Sequence, residues 1–323
     1  MIPLTAVDVR DAEPLVVEVL RSGTLTRGPV VARFEERFAT ATGAAHAVTV
    51  HSGTAAVVTA LRALGLRDGD EVIASPLAGT APLDAVRGAG ATVRFADIRR
   101  DGRALDPDAV ADAITPRTKA VLPVRPFGGT ADKLGPLADE HGLHLVEYAG
   151  GSFGGGDGVC CFSLSAGAIV TTGEGGVVTT EDAGLAARLR QVREAAVSEL
   201  QAAVGVPQLS RVDEAVAARR SNARQLTVGL SGTPGLTVPS DPPAHAWHTF
   251  PVLIGPHAML ARDELVTELS ARGVETAVPG PQPQDCPVAR AVAGELLSLP
   301  VHQALSESDV DTIVREVRDA LGA

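Results

Sequence analysis

Four polar side chains could carry chemistry in this sequence, because each lies at or just beyond the end of a predicted strand. Glu147 and Tyr148, the single tyrosine of the chain, end the strand LHLVEY, whereas Arg125 and His51 follow the apolar runs AVLPV and AVTV. A hydroxyl beside a carboxylate is the minimum for proton transfer, although alternation along a strand points one of the two side chains away. His51 is the side chain best suited to titrate near neutral pH. We interpret the four as candidate catalytic groups; the alternative is a core tyrosine, a solvated arginine and a structural histidine.

A second set of residues could bind an anion. Ser52, Gly53 and Thr54 open a predicted helix, and Ser163 ends the apolar run VCCFS. The free N–H groups and the dipole of a helix start favour negative charge, and Arg125 would add a positive charge close by. The alternative is ordinary helix capping by Ser or Thr, which needs no ligand. The sequence leaves these two interpretations open.

Residues 162–176, FSLSAGAIVTTGEGG, combine an apolar run with a glycine-rich turn that leads into the strand VVTT. This stretch resembles the cofactor-lysine segment of the DegT/StrS family of sugar aminotransferases, which have the type I fold of pyridoxal phosphate (PLP) enzymes. In that family the lysine that holds PLP follows the serine by five residues, and here that position is Ala168. The chain has two lysines, Lys119 and Lys133, and neither is predicted to lie at this turn.

The resemblance also implies changes at other positions of the family's cofactor site. The carboxylate that pairs with the pyridine nitrogen falls on Tyr148, and the aromatic residue that stacks on the ring falls on Gly79. A glutamine and a histidine of the family fall on Gly151 and Phe153, whereas Ser163 matches a phosphate-contacting serine. The family's long excursion before the SELQAA helix is absent, and RLRQVREAAVSELQAA is predicted to be one uninterrupted helix. Weaker candidates, placed only by analogy, are Asp84, Trp247 and His248.

These differences predict that the chain binds no PLP and is not a functional PLP aminotransferase. The first hypothesis is a repurposed, PLP-independent enzyme or binder of a small molecule, sugar-like or phosphorylated, in a biosynthetic pathway. The second is a non-catalytic pseudoenzyme that partners an active sugar aminotransferase paralogue as a heterodimer. The third is non-covalent use of PLP or of its amine form. The sequence leaves open the substrate, the reaction and whether the chain is catalytic; a homodimer is expected by default from the resemblance.

Composition excludes several partner classes. The 323 residues carry 28 Lys and Arg against 39 Asp and Glu, a net charge of −11, which disfavours nucleic acid and anionic membranes. No stretch is long and apolar enough to predict a membrane span, and a cytoplasmic location is expected. Cys160, Cys161 and Cys286 are too few and too unevenly spaced for a disulfide framework or a zinc site, so no metal is expected.

Helical and strand patterns alternate through most of the chain, which predicts an α/β fold with a mostly parallel sheet. We expect a large lobe over residues 1–235, including a connecting helix at about 198–232, and a small α+β lobe over 236–323. Residues 185–230 are predicted to be helical throughout, with 205–207 as the only interruption. The Pro- and Gly-rich stretch 232–243 marks the lobe boundary.

Overall fold

The structure, a computed structural model, describes residues 1–101, 103–129, 134–156, 158–240, 245–280 and 282–323. Its helices are α1 (Glu13–Ser22), α2 (Pro29–Thr42), α3 (Gly53–Ala63), α4 (Thr80–Gly88), α5 (Pro107–Ala113), α6 (Gly135–Glu140), α7 (Ala183–Val192), α8 (Glu199–Leu209), α9 (Val212–Leu230), α10 (Arg262–Ala271), α11 (Pro287–Glu295) and α12 (Glu307–Ala320). Its strands are β1 (His46–Val50), β2 (Glu71–Ala74), β3 (Thr92–Phe95), β4 (Thr118–Leu122), β5 (His144–Gly150), β6 (Val159–Ser163), β7 (Gly176–Thr180), β8 (Leu236–Thr237), β9 (Phe250–Ile254) and β10 (Leu296–Leu299). In the described part of the chain, no helix is both long and apolar enough to cross a membrane.

The main sheet has seven strands in the order β1-β7-β6-β5-β4-β2-β3. Its pairs are parallel except that β7 runs antiparallel to both of its neighbours. Strands such as β2 and β7 are buried along their whole length, as expected where helices cover both faces of a sheet. The predicted α/β fold with a mostly parallel sheet is confirmed.

The carboxyl ends of four strands meet at one edge of this sheet. β4, β5 and β6 are parallel to one another, and β1 points the same way as β6 because both are antiparallel to β7. In open α/β sheets the crevice beyond the carboxyl ends of the strands is where ligands bind. The loops after β4, β5 and β6 and the start of α3 therefore bring the candidate side chains to a common edge.

The second sheet is small and antiparallel, in the order β10-β9-β8. Its core includes Trp247 and Phe250 and also takes in Ala223, Leu226 and Leu230 from α9. The long helix thus packs its last turns against the C-terminal sheet. The lobe boundary at 235/236 stays a prediction.

The stretch from 185 to 230 differs from the expectation of continuous helix. α7 ends at Val192, and α8 begins only after Ser198, whose side chain caps the helix while Gln201 reaches back to the Ser198 N–H. This reciprocal capping box starts a new helix, so RLRQVREAAVSELQAA is not one helix. The expected interruption at 205–207 lies inside α8, which accommodates Pro207. The pattern Ser-x-x-Gln was the sequence signal for the true break.

Candidate functional site

A cavity of about 340 Å³ opens at the carboxyl edge of the main sheet. Its wall comprises Leu77, Ala78, Val124, Arg125, Phe127, Gly128, Tyr148, Ala149, Gly150, Gly151, Ser152, Ser163, Ser165, Gly167 and His248. The wall is polar where β5 and β6 end. Three of the residues singled out from the sequence as site candidates, Arg125, Tyr148 and Ser163, are thus brought together.

We call Ser52, Gly53, Thr54 and Ser163 the anion cup. The Ser52 side chain accepts a hydrogen bond from the Ala55 N–H at 3.1 Å, so the predicted capping takes place. A β-carbon at Gly53 would lie 2.7 Å from the Ser163 β-carbon, which places the start of α3 directly against the end of β6. Because the first N–H groups of a helix have no partner within the helix, this corner suits an anion.

Arg125 and Glu147 form a buried ion pair beside the cavity. Nε of Arg125 donates to Glu147 at 2.7 Å, and Nη2 donates to the second carboxylate oxygen at 3.0 Å. The guanidinium also donates to the carbonyl oxygens of Gly154 and Gly155 at 2.7 and 2.8 Å. Burial lowers the pKa of Arg125, but hydrogen bonds to Glu147 and its charge outweigh burial and leave that pKa raised.

The ion pair changes what these two residues offer to a ligand. Glu147 is 1% exposed and is absent from the described residues that line the cavity, whereas its neighbour Tyr148 is present there. Alternation along β5 sends the two side chains to opposite faces of the sheet. The expectation that Glu147 faces the cleft is therefore wrong. The charge of Arg125 is matched by a carboxylate, so this arginine is not a free anion-binding group.

Tyr148 reaches the cavity from the end of β5, where its backbone N–H donates to Pro123 at 2.9 Å and its carbonyl accepts from Arg125 at 3.1 Å. Burial raises the pKa of the phenol, with a smaller contribution from Cys161. The hydroxyl therefore stays protonated at neutral pH and can donate a hydrogen bond. Tyr148 is therefore more than a core residue, because it also lines the cavity.

Other predicted positions lie away from the cavity wall. His51 is exposed between β1 and α3, and Asp84 is exposed and pairs with Arg87. Phe153 packs edge-on against Phe38. Gly79, with φ of 75°, is in the left-handed region and opens α4. In the described part of the chain, none of these four positions lines the cavity.

The sequence underrated His248. It lines the cavity, its Nε2 lies 3.0 Å from the Gly167 carbonyl oxygen, and its pKa is lowered to about 4, first by burial and then by the charge of Arg219. Residue 248 is distant in sequence from every other wall residue. The sequence placed it only by analogy with the family, and its place shortly before the strand β9 gave no chemical role.

PLP, the cofactor that the resemblance implies, fits this site at its phosphate and ring. The anion cup suits the phosphate, and the cavity next to it has room for the ring. Ala168 is buried and brings no amine. Lys119 lies at the opposite edge of the sheet, near Asp70 and His144, and Lys133 lies outside the described residues. The residues described here could hold the cofactor through its phosphate.

Comparison with known proteins gives a consistent result. The family model of the DegT/DnrJ/EryC1/StrS aminotransferase family matches residues 8–318. A Streptomyces venezuelae protein, dTDP-3-amino-3,4,6-trideoxy-α-D-glucose transaminase, is 35% identical over 96% of this chain and 92% of its own. The spore coat polysaccharide biosynthesis protein SpsC of Bacillus subtilis strain 168 is 34% identical over 94% and 92%. The structure of S. venezuelae DesV in complex with a ketimine intermediate aligns with a TM-score of 0.92, at 33% identity over 99% of both chains.

These likenesses contradict the functional expectations drawn from the sequence. The residue changes had predicted a chain that binds no PLP, with either a PLP-independent repurposed site or, as the alternative, a non-catalytic pseudoenzyme partner. Full-length similarity to a named transaminase, and to DesV captured with a ketimine intermediate, supports an active enzyme with PLP as its cofactor instead. The expected relationship, by contrast, is confirmed: the chain belongs to the DegT/DnrJ/EryC1/StrS aminotransferase family.

Proposed function

We propose that this chain is a PLP-dependent aminotransferase that acts on a nucleotide-linked sugar. The observation that carries the proposal is the anion cup, where the start of α3 meets Ser163 beside a cavity large enough for a small molecule. The substrate class comes from the relatives, since one is named for a dTDP-linked amino sugar and is 35% identical to this chain.

Each part of the cleft has an assigned task in this proposal. The N–H groups at the start of α3, with the hydroxyls of Thr54 and Ser163, bind the phosphate of the cofactor. The Tyr148 hydroxyl donates a hydrogen bond into the cavity. When bound, PLP supplies an electron-withdrawing ring that makes it easier to remove a proton from carbon next to nitrogen. Because Ala168 has no amine, retention of the cofactor depends on the contacts at the phosphate.

Two further expectations belong to this proposal, a homodimer and a cytoplasmic location. Apolar side chains near the N-terminus are exposed, with Val7, Leu20 and Leu25 at 52, 58 and 47%. A second copy of the chain covering them would remove this apolar area from water. Light scattering on the purified protein tests the dimer, which requires twice the 33.0 kDa of the chain.

The experiment combines cofactor binding with product detection. Purified protein is incubated with PLP, glutamate as amino donor and a dTDP-linked keto sugar, and the amino sugar is detected by mass spectrometry. Ser163→Ala should weaken binding of pyridoxamine phosphate, whereas Ser231→Ala, at an exposed hydroxyl at the end of α9, should not. Absence of amino sugar with every donor and keto sugar tried would overturn the proposal.

A further inference from the structure

Arg103 is a buried, positively charged residue for which the proposed function has no task so far. It lies in the loop that follows β3, at the same edge of the sheet as the cavity, because β3 is parallel to β2 and β2 is parallel to β4. The residue is 8% exposed, and its φ of 57° lies in the left-handed region, which is uncommon for residues other than glycine. Residues held in such conformations cluster at ligand-binding sites.

The guanidinium of Arg103 lacks a partner for its charge. Its Nε is buried and has no hydrogen-bond acceptor among the residues that the structure describes. Burial lowers the pKa of Arg103, the nearby charge of Arg100 lowers it further, and no carboxylate of the described chain offsets them. Arg125, by contrast, has its charge matched by Glu147. Arginine stays protonated at neutral pH, so Arg103 is a buried cation to which an anionic ligand could bind.

Phe127 connects Arg103 to the cavity. The Cζ of Arg103 lies over the Phe127 ring, 5.8 Å from its centroid, and Phe127 belongs to the cavity wall. The Phe127 carbonyl accepts a hydrogen bond from the His248 N–H at 2.8 Å. A β-carbon at Gly128 would lie 2.5 Å from the His248 nitrogen, so this close approach requires glycine. The main chain that carries the ring is therefore fixed at the cavity, and Arg103 adjoins the wall there.

Arg103 lies on the other side of the cavity from the anion cup. Ser163 ends β6, whereas Phe127 follows β4, two strands further along the sheet, and the loop of Arg103 follows β3, beyond β4. Neighbouring strands are about 4.8 Å apart, so about 10 Å separate β6 from β4. The cup is assigned to the phosphate of the cofactor. A second anion is therefore needed to match the charge of Arg103.

We propose that Arg103 binds the diphosphate of the nucleotide-linked sugar, an inference that rests on the proposed function. A diphosphate presents several negatively charged oxygens, which suit the planar fork of N–H donors on a guanidinium. The Phe127 ring supports the guanidinium through a cation–π contact. No bond forms or breaks at Arg103. It is a binding residue that fixes where the sugar lies relative to the cofactor.

The first test measures binding without turnover, by calorimetry on the full chain in the presence of pyridoxamine phosphate. The ligands are dTDP and thymidine, which lacks the phosphates. Arg103→Gln should weaken dTDP binding by about 10-fold or more, the loss expected for a charged hydrogen-bond donor, and leave thymidine binding nearly unchanged. Arg99→Gln, at an exposed arginine of the same loop, is the control and should change neither. An equal loss for both ligands in Arg103→Gln, or an equal loss of dTDP affinity in Arg99→Gln, would overturn the proposal.

The second test uses the thermal stability of the ligand-free protein, because it distinguishes a binding residue from a structural one. Arg103→Met removes a buried charge that has no partner in the described chain, so the Tm should stay the same or rise. Arg125→Met leaves a buried carboxylate unpaired and should lower the Tm. Added dTDP should raise the Tm of wild type and not that of Arg103→Met. A fall in Tm as large in Arg103→Met as in Arg125→Met would show a structural role and contradict the proposal.

Turnover separates this inference from the proposed function. In Arg103→Gln the KM for the dTDP-linked keto sugar should rise by about 10-fold or more, whereas the KM for glutamate should not change. A rise confined to glutamate would mean that Arg103 binds the amino donor, which overturns the inference and leaves the aminotransferase function standing. A wild type that binds dTDP through Arg103, yet makes no amino sugar, overturns only the proposed function.

Discussion

The anion cup and the cleft floor, which we define as Tyr148, Gly151 and Ala168, differ in how closely they follow the family pattern. In the cup, the resemblance predicts that Ser163 matches the family serine, and the Ser163 β-carbon is the nearest neighbour of a β-carbon built at Gly53. On the floor, the resemblance predicts that a phenol occupies the position of a carboxylate and a methyl group that of an amine. The cup is built largely from backbone groups, whereas the chemistry of the floor depends on side chains.

The comparison separates contacts made by backbone groups, which the fold maintains, from contacts that depend on particular side chains. A helix start binds anions through N–H groups that exist whatever the side chains are. Proton transfer, by contrast, needs specific side chains, and the backbone does not supply them.

Arg125→Met should have the largest effect, because it leaves Glu147 buried without its partner. Removing one member of a buried ion pair costs about 3–5 kcal/mol, measurable as a loss of unfolding free energy in urea. Arg87→Met is the control, since that side chain pairs with Asp84 and the two side chains are 58% and 64% exposed, so its loss should cost less than about 1 kcal/mol. An equal loss of unfolding free energy in both variants would show that the buried Arg125–Glu147 pair stabilises the protein no more than an exposed pair does.

Acid should destabilise the protein through His248. The folded-state pKa of about 4 lies below the unfolded value near 6.5, so the unfolded chain takes up a proton first as the pH falls. His248 makes its full contribution to the free energy of unfolding above pH 6.5. As the pH falls towards 4, the free energy of unfolding decreases by about 3 kcal/mol. Urea titrations between pH 7 and 4 should show a shallower decline in His248→Gln. The same slope in wild type and variant would contradict the prediction.

Gly53→Ala should disturb the cup, because the added methyl group would meet the Ser163 β-carbon at 2.7 Å. Overpacking of this kind costs about 1–3 kcal/mol, and binding of inorganic phosphate should weaken with it. Gly88→Ala is the matched control in α4, where the new methyl group has its nearest neighbour at 3.7 Å, and it should stabilise by about 0.5–1 kcal/mol. Calorimetry measures both the stability and the phosphate affinity. If Gly53→Ala changes neither, the start of α3 has room for a methyl group next to Ser163 and the prediction is wrong.

Ser52→Ala should have the smallest effect on stability, about 1 kcal/mol for the loss of a helix cap. Ser198→Ala removes the equivalent cap of α8, away from the cavity, and should cost a similar amount. Only the first variant should also lower the affinity for pyridoxamine phosphate. If both variants bind it equally well, Ser52 acts as a helix cap and nothing more.

Much of the fold was readable from local patterns. The ends of α1 and α2 at Gly23 and Gly43 follow from glycine, and both residues are left-handed, with φ of 72° and 73°. The alternation of strands and helices predicted the mostly parallel sheet, and the residues of the cup were identified from one helix start and one strand end. The capping box at Ser198 was equally local, although the uninterrupted apolar and charged pattern around it favoured a single helix.

Local sequence patterns predict most of the helices and strands, because helix caps, glycine turns and apolar periodicity act between residues close in the chain. Which side chains face the cleft depends on contacts between residues far apart in the chain. The Arg125–Glu147 pair spans 22 residues and the His248–Gly167 contact spans 81. Side chains along a strand alternate between the two faces of the sheet. Whether a side chain at a strand end points into the cavity or pairs with another residue therefore depends on its face and on the residues packed against that face. Those contacts form only when elements distant in the chain pack together, so no local pattern records them.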